Sequence, residues 1–193
     1  MFQPWIGENY GKSSYGKLLI IGESHYFYHE ENDFQNFIKK VINGLGTSND
    51  NDFFIKVGQL FDPENYLDVW SKVAFANAIQ YQFSESRQPK TSAQIKTIEP
   101  AFREYLNIVK PEKVLVCSKL VWERGLPQSI LWGKYLDTIR DERNQKGATL
   151  WELEYDGGKC LAIGIPHTSS IRPIKFKVEE WSALVNIFID MKI

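Results

Sequence analysis

Three residues of types that carry out chemistry stand where apolar runs of this chain stop or break. In KLLIIGESHYFYH, Lys17 to His29, an apolar run ends at Gly22 and gives way at once to Glu23, Ser24, His25 and Tyr26. In CLAIGIPHTSSIRP, Cys160 to Pro173, a second run releases His167, Thr168 and Ser169. A third, KVAFANAIQY, Lys72 to Tyr81, is interrupted by Asn77. A carboxylate can orient a water and stabilise a developing cation. An imidazole N–H can donate to a developing oxyanion, and an amide both donates and accepts, as pairing with a polar ring edge requires. Each also has a plainer reading. A Glu after a strand is often a cap or an ion-pair partner, an Asn within a strand usually bonds to backbone, and a His before Thr-Ser-Ser can open a helix.

The elements that must hold these residues follow from apolar periodicity. Residues 17–22 have the continuous apolar character of a strand buried on both faces. Lys72 to Tyr81 reads as a second such strand, and Lys113–Cys117 as a third. NDFQNFIKKVINGLG places Phe34, Phe37, Ile38, Val41 and Ile42 on one helical face, with Asn32 or Asp33 as N-cap and Gly44 or Gly46 as stop. DFFIKVGQLF repeats the pattern more briefly. EPAFREYLNIVK is a helix with Pro100 in its first turn, ended by a Lys-Pro break. TLWELEYDGGKCLAIGIPH is a hairpin turning at Asp156-Gly157-Gly158, and its second arm delivers His167. A last helix, KVEEWSALVNIFIDMK, presents Val178, Trp181, Val185, Phe188 and Ile189. Strands alternating with helices predict an α/β three-layer sandwich with a mainly parallel central sheet. Ligands of such sheets bind beyond the carboxyl ends of the strands. Glu23, Asn77 and His167 are all expected there, lining one pocket.

Composition excludes several function classes. The 193 residues fit one domain, and a hydrophobic fraction of 43% with 14% aromatics suffices for a core. Lys plus Arg number 23 against 24 Asp plus Glu. That balance is no nucleic-acid footprint for the chain as a whole, which leaves only a local basic stripe open. Cys117 and Cys160 lie in strand-like runs and form no CxxC, so buried thiols are expected rather than a disulfide or a metal site. No apolar run reaches membrane-spanning length, and the N-terminus lacks a signal-peptide core. These features predict a cytoplasmic protein with no membrane partner, no cofactor and no metal, and a monomer is favoured.

Taken in order, four stretches resemble the uracil-DNA glycosylase superfamily. IIGESHY resembles the Gly-led motif at the end of that family's first strand, with Glu23 at the acid that positions the catalytic water. FANAIQ offers Asn77 where the second strand carries a base-reading Asn. YLNIVKPEKVLVCSKLVW is similar to the family's helix, Pro and following strand. PHTSSIRP resembles the His-Pro-Ser end of the last strand, supplying His167 and Ser169, with Ile171 at the position of the wedge that enters the DNA stack. Thr168 stands where the family has Pro, Ser24-His25 replaces the usual pair after the acid, and the cysteines of the iron–sulfur branch are absent.

The resemblance, which covers roughly residues 17–173, implies a uracil-DNA glycosylase-like domain that repairs DNA by base excision. It hydrolyses the N-glycosidic bond of a flipped, deaminated base, with DNA as its partner. Glu23 and His167 would be catalytic, while Asn77, Tyr26 and Ser169 would hold the base. Ile171, Arg172 and Lys175 would touch DNA, with Lys177 beside them. A flipped base leaves a gap in the stack, which gives an apolar wedge its purpose. His25 and His29 read as structural. Two rivals stay open. IIGESHY also looks like the Gly-Asp-Ser block of lipase-like esterases, with Ser24 as nucleophile and His167 as base, although Gly164 stands where those enzymes place an Asp. The other rival is a nucleic-acid or nucleotide binder that kept the fold and lost the reaction.

Overall fold

The computed structural model describes residues 2–26, 41–44, 52–83, 88–126, 133–169 and 175–192, with the side chains of residues 25, 26 and 82 excepted. The protein is of the α/β class. Among the described residues a seven-stranded sheet runs in the order β1-β4-β2-β6-β9-β8-β7. Its strands are β1 (Trp5–Ile6), β2 (Leu18–Gly22), β4 (Ala74–Asn77), β6 (Lys113–Val116), β7 (Gly133–Asp141), β8 (Lys146–Tyr155) and β9 (Gly158–Gly164). The central pairs β4–β2, β2–β6 and β6–β9 are parallel. The pairs β1–β4, β8–β9 and β7–β8 are antiparallel. The sheet is therefore mixed rather than mainly parallel, because a hairpin pair on one side and a two-residue strand on the other extend a parallel centre.

That centre forms as its sequence predicts. Leu18, Leu19, Ile20 and Ile21 are each 0% exposed. Alternate residues point to opposite faces of a strand, so Leu18 and Ile20 join one core while Leu19 and Ile21 join the other. The first core is closed by α1 (Asp52–Phe61), α2 (Val69–Lys72) and α5 (Val178–Asp190) through Phe54, Val57, Trp70, Leu184 and Phe188. The second is closed by α4 (Ile98–Val109) through Ile98, Phe102, Tyr105 and Leu106. Before α4 comes the single turn α3 (Ser92–Ile95), where Thr91 and Gln94 form a capping box. Burying each such Leu, Ile or Phe contributes about 1.5–3 kcal/mol, so helices are needed on both faces of these strands.

Several expected boundaries shift. The strand expected over 72–81 is only Ala74–Asn77, because Lys72 belongs to the helix Val69–Lys72 and residue-by-residue pairing with β2 ends at Asn77. Of the helix expected over 32–46, residues 41–44 are helical and the remainder lies outside the described residues. Lys110 ends α4 in the left-handed region, φ 48°, immediately before Pro111. The hairpin turns at Asp156-Gly157, and Gly157 has φ +83°. β7 was not anticipated. Its Lys134, Asp137 and Arg140 interrupt any apolar run, as suits a strand at the exposed sheet edge. Cys117 and Cys160 are buried free thiols, and burial pushes the Cys160 thiol up to about 12.

Candidate functional site

Four parallel strands end in nearly one row. Gly22 pairs with Asn77, Ile21 with Val116, and Val116 with Gly164. Glu23 follows Gly22 directly, Ser118 comes two residues after Val116, and His167 comes three after Gly164. Backbone bonds carry the ladder into the loops: Ala78 N–H donates to Gly22 O at 3.1 Å, and Ile79 N–H donates to Glu23 O at 2.9 Å. Glu23, Asn77 and His167 thus stand at the carboxyl edge, where open α/β sheets place their ligands. Beyond that edge the chain forms a short parallel pair, β3 (His25–Tyr26) with β5 (Gln82–Phe83).

The Glu23 carboxylate is hydrogen-bonded at one oxygen and faces a cation at the other. The Ser118 hydroxyl donates to Oε2 at 2.7 Å, and Lys90 Nζ stands 3.8 Å from Oε1. The Lys90 side chain is 3% exposed and lies over the Phe83 ring, 4.0 Å from its centroid. Such a contact stabilises a desolvated ammonium. Neither Lys90 nor Ser118 was singled out from the sequence. Ser118 carried the same signal as Glu23, a polar residue closing the apolar run KVLVC, whereas Lys90 lies in a polar stretch and carried none.

Asn77 is 7% exposed. Its backbone carbonyl accepts from the Tyr105 hydroxyl at 3.2 Å and from Gln80 Nε2 at 3.0 Å. Its side-chain Oδ1 occupies the space where a β-carbon on Gly22 would project. The glycine of the Gly-Glu pair is required here because the Asn of the neighbouring strand packs across it. The two stretches that the sequence placed at one site are therefore fitted to each other.

His167 is half-buried, its ring 5.1 Å from that of Phe53. Burial pushes the imidazole below its ordinary 6.5, and the charge of Lys90 adds to this while that of Glu23 opposes it. The ring is therefore neutral at neutral pH. Ser169 N–H donates to Nδ1 at 3.2 Å, and the Ser169 hydroxyl lies 2.9 Å from the same atom. A nitrogen accepting a backbone N–H cannot itself bear the proton, so the proton is on Nε2. Ser169, expected to hold the base, fixes the tautomer of His167 in this structure and leaves Nε2–H as a donor.

The other expected site residues are distributed unevenly. The Tyr26 backbone pairs with Phe83, while its side chain lies outside the described residues, as do Ile171 and Arg172 altogether. Lys175 is exposed, and Lys177 pairs with Glu180 at 2.8 Å. Ser24 Oγ is buried and has no hydrogen-bond partner among the described residues, so no Ser24–His167 pair is formed. Gly164 has a packing reason of its own. A β-carbon there would overlap the Trp122 ring, so the position could not take an Asp without moving that indole.

Among known proteins, no family model and no curated protein matches this chain. The site is accordingly read from its own residues. Among those described, no group of three or more His, Cys, Asp or Glu is placed to hold a metal ion. No helix among them is long and apolar enough to cross a membrane. What the arrangement offers is a neutral imidazole donor, an anchored carboxylate and a buried amide along one sheet edge.

Proposed function

We propose that the protein is a DNA base-excision glycosylase with a three-layer, uracil-DNA glycosylase-like fold, hydrolysing the N-glycosidic bond of a flipped, deaminated base. The observation that carries this reading is His167, its Nδ1 accepting from Ser169 N–H so that the proton stands on Nε2, on the same strand-end row as the held Glu23. Breaking the bond sends the electron pair into the base, where negative charge gathers on a carbonyl oxygen. A neutral N–H donor suits that charge and costs no proton transfer. The sugar carbon becomes cationic as the base departs, and the Glu23 carboxylate stabilises it and orients the attacking water. The water oxygen bonds to that carbon, a proton passes to solvent, and the base anion takes one up. Asn77 reads the base edge, and Tyr26 walls the pocket.

Support also comes from the sequence order of the four stretches, which become adjacent parallel strands with their ends aligned. The Ile171 wedge and the Arg172 and Lys175 phosphate contacts belong to the same reading and rest on the sequence. The esterase reading is weaker, because Ser24 Oγ is buried and unpaired with His167. The test is a panel of single- and double-stranded oligonucleotides, each carrying one altered base, scored for abasic-site formation. Abasic sites at one or more deaminated bases are expected. DNA binding without any abasic site would instead identify a binder that has lost the reaction.

A further inference from the structure

Ser118 lies 95 residues from Glu23 in sequence and touches its carboxylate. It is 1% exposed and sits just beyond β6, a strand paired on both sides. Its hydroxyl is fixed from two directions. Val121 N–H donates to Ser118 Oγ at 3.3 Å, while Oγ lies 2.7 Å from Glu23 Oε2. A serine hydroxyl has a single proton. With Val121 already donating to Oγ, that proton is directed to Glu23. The Ser118 carbonyl accepts from Trp122 N–H at 3.0 Å, which anchors the residue's backbone as well. The bond from Val121 N–H caps the helical segment that follows Ser118, and because the cap uses only a lone pair of Oγ it leaves the hydroxyl proton for the carboxylate.

We propose that Ser118 is a positioning residue, holding Oε2 of Glu23 so that Oε1, beside Lys90, is presented to the attacking water. The role deepens the glycosylase reading and rests on it for its chemical meaning, but the geometric claim stands separately. A carboxylate set loose on a flexible side chain loses the alignment on which catalysis by a positioned group depends, at a cost on the order of 10²-fold. Lys90 alone cannot replace the hydroxyl, since at 3.8 Å it attracts Oε1 without fixing a direction.

Two measurements test this. In crystal structures of Ser118→Ala and Ser118→Thr, the Glu23 carboxylate should move in the first and stay in place in the second. An unmoved carboxylate in Ser118→Ala overturns the proposal whether or not the protein excises bases. In single-turnover excision, Ser118→Ala should lower the rate on the order of 10²-fold with little change in DNA affinity, and Ser118→Thr should recover most of it. Introduced into Glu23→Ala, the same change should cost nothing further, whereas an additive loss would show that Ser118 acts independently of Glu23. If Ser118→Ala does not fold, Ser118→Cys, a weaker donor, takes its place in both comparisons. A wild-type protein that excises nothing would end the glycosylase reading and leave the crystallographic comparison to decide the positioning role.

Discussion

Gly22→Ala is the perturbation that best tests how the site is built. Gly22 is buried at the end of β2, paired with Asn77 across the ladder. An alanine β-carbon would overlap Asn77 Oδ1 and come within 3.2 Å of two Phe75 ring carbons. Phe75 is 1% exposed and belongs to the first core, so its ring has little room to yield. Adding a methyl group to a packed interior costs about 1–3 kcal/mol. For a chain of this size each kcal/mol lowers Tm by about 2–4 °C, so a fall of about 2–12 °C is expected. The amide is the softer neighbour, so Gly22→Ala should cost less in an Asn77→Ala background. The coupling between the two changes should fall in the range of about 0.5–3 kcal/mol. Urea and thermal unfolding of wild type, both single variants and the double variant measure this. Equal cost of Gly22→Ala in both backgrounds would refute the claim that Asn77 is what requires the glycine.

Further outcomes follow from the structure and, for Ile171, from the sequence alone. Because burial lowers the His167 pKa, the unfolded chain binds more protons just below 6.5. Stability should therefore be full above 6.5 and decline as pH falls toward the folded value, more in wild type than in His167→Gln; parallel pH curves from urea midpoints would show that the folded protein does not lower this pKa. Cys117 and Cys160 are buried with raised pKa values, so a chromogenic disulfide should label neither until denaturant unfolds the chain, and prompt native labelling would show an opening of the core. Ile171→Ala should slow excision from duplex DNA far more than from single strands, where no stack must be opened; equal losses would remove the wedge.

The strands of the parallel centre were legible because burial on both faces writes an unbroken apolar run, as in Leu18–Ile21 and Val114–Val116. The placement of Glu23, Asn77 and His167 at one edge was legible for a related reason, since polar residues that end such runs are left at strand ends. What the sequence hid was contact at long separation. Lys90 reaches Glu23 from a polar segment, and Ser118 reaches it from the end of the neighbouring strand. Local pattern carries no record of either. The short length of β4 was hidden because Ala78 and Ile79, both buried, continue the apolar run past Asn77, the last residue of the strand. β7 was hidden because an exposed edge strand needs no apolar face.

The central claim is that His167 and Glu23 act on opposite charges of one bond-breaking step. The most direct measurement is the single-turnover rate of abasic-site formation, on the best substrate of the lesion panel, for wild type, His167→Ala, Glu23→Ala and Ser24→Ala. Removing one donor to a developing oxyanion costs about 10²–10³-fold, and His167→Ala should fall in that range. Glu23→Ala should lose rate by orders of magnitude through the cation instead, while Ser24→Ala should stay near wild type. Retained excision in either His167→Ala or Glu23→Ala, or a loss confined to Ser24→Ala and seen on ester substrates, would contradict the account.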